Sequence, residues 1–306
     1  MKKISEPIVF FGSGPVAAES LHLLSNDFSI EAVVTKPRLP HHKGDVPVLT
    51  LAEELNLPVS TVTDKKELTQ LFSLHPFKAK LGILIDFGII VPQSVIDYFP
   101  LGIVNSHFSI LPEWRGADPI TFAILSGQEM TGVSLMFLVA RMDEGPLLGY
   151  GEQHLSPEIT TPELTHKLIQ LSHALLLHDI PRVLEGKSKG GVPQDITDKT
   201  VSYSRKLTKN DGLIDWQKPA VQLEREVRAF LEWPKSRTVF EALEIVITKA
   251  HVVNLNGKPG SRTIIDKLPT IYCGQQALAI DRLKPAGKKE MTGEAFLAGH
   301  KALFTK

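Results

Sequence analysis

Cysteine is nearly absent from this chain: Cys273 is the only one in 306 residues. A lone thiol excludes an intrachain disulfide framework and any cysteine-rich zinc site. Long apolar runs are missing as well. The longest, Leu81 to Val91, is broken by Gly82, Asp86 and Gly88. Nothing approaches the roughly 18 apolar residues of a membrane span, so no membrane partner is expected. No internal repeat is visible. The apolar run Ile8–Phe11 near the start is too short for the core of a signal peptide and reads as a first core strand. A cytoplasmic enzyme is the expectation. With 42% hydrophobic and 22% charged residues the usage is that of a globular protein, not of a disordered one. At about 150 residues per domain the length suggests two domains.

Neither sign of charge is in excess overall, with 34 basic and 34 acidic residues. The balance is uneven along the chain. Arg205 to Lys306 holds 18 Lys/Arg and 11 Asp/Glu, a net of +7, which leaves −7 for the rest. A basic C-terminal part points to a polyanionic partner; two solvated surfaces of different sign would give the same count.

The first half alternates short apolar runs with helical patterns. Ile8–Phe11, Ile30–Thr35, Leu81–Ile85, Gly102–Asn105 and Gly132–Leu138 read as strands. Pro15–Leu24, Leu49–Asn56, Lys65–Phe72 and Asp118–Ser126 read as helices. This alternation implies an α/β fold, a doubly wound, Rossmann-like sheet of parallel strands with helices on both faces. Thr161 to Leu184 reads as one long helix, with Pro162 in its first turn and Gly186 just past its end. Gly186 to Ser204 is rich in Gly, Ser, Thr, Asp and Lys and reads as a linker. After a helix at Ala220–Phe230 come closely spaced short strands and the turn signals Asn256-Gly257 and Pro259-Gly260. That pattern suggests a small C-terminal β-barrel, OB-like in size.

Two segments carry chemistry. Gly12-Ser13-Gly14-Pro15-Val16-Ala17 follows a strand and opens a helix, as a dinucleotide fingerprint does. The acid that should end the second strand is replaced by Lys36, which would suit a 2′-phosphate; a plain tight turn would leave the same residues. The second segment is Gly102 to Ile120, where an apolar strand ends in Asn105-Ser106-His107. Residues two apart share a strand face, so Asn105 and His107 can enter one cleft at a strand's carboxyl end. An amide can donate to a developing oxyanion, and a histidine can move a proton near neutral pH. Asp143, in Asp143-Glu144-Gly145, can orient the imidazole or relay a proton.

The run Asn105-Ser-His107-Phe-Ser109-Ile-Leu-Pro112-x-x-Arg115-Gly116-Ala-x-Pro119-Ile120, followed by Thr131-Gly-Val and Asp143-x-Gly145, resembles the methionyl-tRNA formyltransferases. These form a branch of the folate-dependent formyltransferases. The second half agrees through Lys206-Leu-Thr-Lys-Asn-Asp211-Gly, Gln222 to Phe230, Trp233-Pro234 and Leu283 to Lys289. The resemblance implies transfer of the formyl group of the co-substrate 10-formyltetrahydrofolate to the α-amine of methionine on initiator methionyl-tRNA, with no metal. It implies a formyltransferase catalytic domain over 1–186, a linker over 187–204 and a tRNA-binding barrel over 205–306, acting as a monomer. It assigns catalysis to Asn105, His107 and Asp143. Folate binding falls to Asp86, Phe87, Gly88, Ile89 and Ile90 and to Ser109, Ile110, Leu111 and Pro112. It gives tRNA contacts to Arg38, Lys43, Arg115, Lys206, Arg225, Arg228, Lys288 and Lys289. Two departures stand out: the basic insertion around Lys36 to Asp45 is short and carries His41-His42, and Phe87 replaces a common Tyr.

Overall fold

The computed structural model describes residues 3–38, 44–188, 190–196 and 199–305. In chain order the first elements are β1 (Ile4–Phe11), α1 (Pro15–Asp27), β2 (Phe28–Thr35), α2 (Pro47–Glu54), β3 (Val59–Thr61) and α3 (Lys65–Leu74). They are followed by β4 (Leu81–Leu84), α4 (Gln93–Ile96), β5 (Ile103–His107), β6 (Arg115–Gly116), α5 (Pro119–Ser126), β7 (Met130–Phe137), β8 (Leu147–His154) and α6 (Thr161–Leu184). The remainder is β9 (Tyr203–Ser204), α7 (Ala220–Ala229), β10 (Ser236–Phe240), β11 (Leu243–Val253), β12 (Arg262–Ile265), β13 (Leu268–Tyr272), β14 (Ala277–Pro285), β15 (Met291–Thr292) and α8 (Gly293–His300).

Two compact units emerge. The first holds 1–117, 130–154 and 165–204; the second holds 118–129, 155–164 and 205–306. The stretch 187–204, expected to be a linker, is thus part of the first unit. Its few apolar residues conceal a network of pairings. Val192 exchanges two 2.7 Å backbone hydrogen bonds with Leu147, and β9 pairs with β6. The segment 118–129 joins the second unit because α5 packs on α7.

The first unit is built on a seven-stranded sheet in the order β3-β2-β1-β4-β5-β7-β8. Its apolar strands explain the layering. Ile8, Val9, Phe10 and Phe11 of β1 are all fully buried, as a strand covered on both faces requires. On one face Phe11 meets the rings of Phe72, Phe87 and Phe99 at centroid distances of 5.8, 5.6 and 6.0 Å. Five strands are parallel, as expected, but β7 runs antiparallel to both β5 and β8. The chain between β7 and β8 is too short for a helical crossover, so these two form a hairpin-like pair. The loops after β1, β2, β3, β4 and β5 therefore share the carboxyl edge of the parallel strands.

The second unit carries an antiparallel sheet in the order β10-β11-β14-β13-β12, with β15 paired to β14. Ile245, Ile247, Ile271, Leu278, Ile280 and Leu283 supply the buried side of its strands, and α7 and α8 add Leu223, Val227 and Phe296. The expected barrel is here an open path of strands: among the described residues β10 and β12, at its two ends, do not pair. Cys273 lies in this core, where burial pushes its thiol up to about 11 and keeps it neutral.

At the start of this unit Asp211 takes the backbone N–H and the hydroxyl of Thr208 at 2.7 and 2.8 Å, and it also pairs with the Arg205 guanidinium. The Arg205 hydrogen bonds hold its carboxyl well below the usual range. A depressed carboxyl adds stability that is present above its unfolded value and lost as pH falls through the folded one. Asp211→Ala should therefore destabilise the protein by about 1 kcal/mol at pH 7, the usual worth of such a cap. In urea titrations the gap between wild type and variant should begin to shrink as pH drops below about 4 and close only near the much lower folded value.

Candidate active site

β5 delivers two polar side chains to one face. Asn105 and His107 are 7% and 6% exposed, while Ser106 between them points to the other face and meets Ser172 of α6 at 2.7 Å. Buried polar groups need partners. His107 Nε2 lies 3.0 Å from the Trp114 carbonyl oxygen. A carbonyl only accepts, so Nε2 carries the hydrogen and Nδ1 is the ring atom free to exchange a proton. Nδ1 faces Asp143 Oδ1 at 3.8 Å. The other carboxylate oxygen, Oδ2, accepts the Gly116 N–H at 2.7 Å. One oxygen of Asp143 is thus fixed by backbone, and the second is presented to the imidazole.

The loop after β5 makes this possible. Leu111 N–H donates to Ser134 Oγ at 2.9 Å, and that hydroxyl donates to the Ser109 carbonyl at 2.8 Å. Ser202, from the supposed linker, accepts the Trp114 N–H on its hydroxyl at 2.9 Å and the Arg115 N–H on its carbonyl at 2.9 Å. Gly116 stands at φ +105°, and a Cβ there would sit 2.5 Å from the Ser204 carbonyl oxygen. Only glycine fits. Gly116→Ala should move the donor that fixes Asp143, costing about 1–3 kcal/mol of stability and about tenfold or more in turnover. Urea unfolding and steady-state assays check the two parts separately.

The carboxyl edge also holds a cleft of about 370 Å³, lined by Ser13, Gly14, Lys36, Thr63, Asp86 and Gly88 among others. It gathers Asp86, Phe87 and Gly88 of the expected folate segment. Phe87 itself is packed in the aromatic core, and Ile90 is 72% exposed. Ser109, Ile110 and Leu111 are buried behind the β5 loop and do not line this cleft. The glycine-rich turn is not a free phosphate cradle. The amides of Gly12, Ser13 and Gly14 donate to the carbonyls of Val34, Asp86 and Asp86 at 3.1, 3.0 and 3.3 Å. The Asp86 carboxylate packs directly on Gly14: a Cβ there would lie 1.8 Å from Asp86 Oδ2 and would push that side chain away.

The cations suggested by sequence divide into two groups. Lys206, Lys288 and Lys289 are exposed, as is Arg38, whose guanidinium reaches Thr50 Oγ1 at 3.4 Å. Arg115 and Arg228 turn inward, and Arg225 is half-buried on the end of α5. Arg115 donates to Gln194 Oε1 from Nε and Nη2 at 3.1 and 2.6 Å. Arg225 reaches the Ser126 carbonyl at the end of α5, 3.3 Å away. Arg228 donates to both oxygens of Glu224 at 2.6 and 2.9 Å and to the Ile159 carbonyl at 2.8 Å. Lys43, with His41 and His42, lies outside the described residues. No group of three or more His, Cys, Asp or Glu side chains among the described residues could hold a metal.

An amide donor beside a proton-exchanging imidazole, itself faced by a carboxylate, suits attack of an amine on a carbonyl carbon. Comparison with known proteins places the chain in a family. The family model described as formyl transferase matches residues 10–180, and that described as formyl transferase, C-terminal domain, matches residues 206–301. The chain belongs to the formyl transferase family. Among its relatives is the methionyl-tRNA formyltransferase of Methylococcus capsulatus, 35% identical over 303 residues that cover 96% of each chain. Two more distant solved structures share the fold. The N-formyltransferase of Helicobacter canadensis, solved with folinic acid and dTDP-3-aminofucose, aligns with a TM-score of 0.66 at 18% identity, over 90% of this chain and 99% of that one. HypX from Aquifex aeolicus, solved with tetrahydrofolic acid, aligns with a TM-score of 0.64 at 16% identity. That match covers 95% of this chain but only 46% of HypX, so the present formyl transferase spans about half its length.

Proposed function

We propose that this chain transfers the formyl group of 10-formyltetrahydrofolate to the α-amine of methionine on initiator methionyl-tRNA. The observation that carries the reading is the Asn105–His107–Asp143 constellation in a chain similar along nearly its whole length to a methionyl-tRNA formyltransferase. The amine sheds a proton and attacks the formyl carbon. Negative charge grows on the formyl oxygen, where Asn105 donates its amide hydrogens. His107, fixed through Nε2, accepts and returns protons at Nδ1, and Asp143 stabilises the imidazolium that forms. The C–N bond to the folate then breaks, and the folate nitrogen takes up a proton. In this reading Asp86 and Gly88 meet the folate at the cleft, within the segment Asp86 to Ile90, and the buried Ser109 to Pro112 shape the β5 loop rather than line that cleft.

Residues 1–186 act as the catalytic part and 205–306 hold the tRNA by its phosphates, through exposed cations such as Lys206, Lys288 and Lys289. Arg115, Arg225 and Arg228, expected as tRNA contacts, are engaged with Gln194, the Ser126 carbonyl and Glu224 with the Ile159 carbonyl, and add at most their charge to the local field. The working unit is a monomer in the cytoplasm. Rates of formyl transfer to methionyl initiator tRNA and to a dTDP-linked amino sugar test the acceptor class. The proposal requires the tRNA to be formylated at least about 10³-fold more efficiently; a difference of that size corresponds to about 4 kcal/mol of transition-state discrimination. Preference for the sugar would refute it.

A further inference from the structure

Asp143 occupies a left-handed conformation, φ +52°, in the loop between β7 and β8. For a non-glycine residue this is an unfavoured state that the surroundings must hold in place. The Gly116 N–H fixes one carboxylate oxygen but does not fix the backbone. That restraint comes from Gln194, in the stretch the sequence presents as a linker. Gln194 is 6% exposed. Its Nε2 donates to the carbonyls of Asp143 and Gly145 at 2.8 and 2.9 Å, bridging both sides of Glu144. A carboxamide has a donor end and an acceptor end. Arg115 determines which end faces the loop, because its Nε and Nη2 both donate to Oε1 at 3.1 and 2.6 Å. A flipped amide would set Oε1 against two carbonyl oxygens and Nε2 against a guanidinium.

We propose that Gln194, oriented by Arg115, is a positioning residue that sets the Asp143 carboxylate against His107. The inference rests on the catalytic reading above. Its logic is a closed frame. The tripeptide Trp114–Gly116 touches His107 through the Trp114 carbonyl, Asp143 through the Gly116 N–H and Gln194 through the Arg115 side chain. Gln194 completes the circuit by gripping the Asp143 loop from the opposite side. Neither Gln194 nor Arg115 needs to touch substrate, and both act through where the carboxylate stands.

The test uses the full-length chain. Gln194→Met keeps the length of the side chain and removes every hydrogen bond. Gln194→Glu keeps the acceptor for Arg115 and replaces the two donors with an oxygen facing two carbonyls. Both variants should lower kcat about 10- to 100-fold, as displacing a catalytic group by about 1 Å does. KM for the formyl donor and for the tRNA should stay within about threefold. Arg115→Met, which leaves Gln194 unoriented and also removes the 3.6 Å pair of Arg115 Nη1 with Glu144 Oε1 on the same loop, should cost about tenfold or more in kcat. The deciding readout is a double-mutant cycle in single-turnover assays. In an Asp143→Asn background, Gln194→Met should change the rate by less than about threefold, because the group it positions is already disabled. Penalties that multiply in that background would overturn the proposal. So would a fall in melting temperature with kcat unchanged, or a raised KM at constant kcat. A wild-type chain that transfers no formyl group would fail one step earlier and overturn the catalytic reading with it.

Discussion

His107→Ala and Asn105→Ala should each fold, with wild-type circular dichroism, and each should lower kcat for formyl transfer by about 10² to 10³. The two residues sit on one face of β5, both buried, where a polar side chain is costly unless it has work or a partner. In the proposed mechanism Asn105 donates to charge that develops only in the transition state, so its loss should fall on kcat rather than on KM. His107 is held by the Trp114 carbonyl on one side and faced by Asp143 at 3.8 Å on the other. In the proposed mechanism its loss removes the proton carrier and leaves Asp143 facing no imidazole. A variant that keeps more than about a tenth of wild-type turnover would remove that residue from the mechanism.

The second large effect is electrostatic. Each phosphate neutralised by a cation releases condensed counterions, so affinity for tRNA should fall with a log–log salt slope of about −0.7 to −0.9 per contact. The net +7 of residues 205–306 and the exposed Lys206, Lys288 and Lys289 suggest a handful of contacts. A slope of about −3 to −5 follows, and binding weakens roughly 10²- to 10³-fold between 50 and 200 mM salt. Replacing Lys288 and Lys289 by Glu should flatten the slope by about 1.5 and raise KM for the tRNA, leaving KM for the folate unchanged. A slope near zero, or an unchanged tRNA KM in the double variant, would mean that these lysines only solvate a surface.

Much of the architecture was legible because local patterns and tertiary structure agree. The period-2 rule puts Asn105 and His107 on one strand face, and Pro162 with Gly186 frames the helix at Thr161–Leu184. What stayed hidden depends on partners far along the chain. Gln194 and Ser202 belong to a stretch with few apolar residues, and nothing in such a composition reveals hydrogen bonds to distant residues, between Gln194 and Gly145, 49 positions earlier, or between Ser202 and Trp114, 88 positions earlier. Charge counts treat every arginine as a surface cation, yet Arg228 has its donors taken by Glu224 and the Ile159 carbonyl. Strand β8 lacks a strong signal because it is an edge strand with glycines and alternate exposed residues. The glycine-rich turn carried a motif that its amides, committed to Val34 and Asp86, do not serve.

The most direct measurement is a single-turnover assay with enzyme in excess, 10-formyltetrahydrofolate labelled in the formyl group, and methionyl initiator tRNA, with methionyl elongator tRNA as control. The account predicts that label passes to the methionine of the initiator tRNA in wild type, passes far more slowly to the elongator, and slows by about 10² or more in Asp143→Asn. Transfer at the wild-type rate in Asp143→Asn, or no transfer to the initiator tRNA by the wild-type chain, would contradict it.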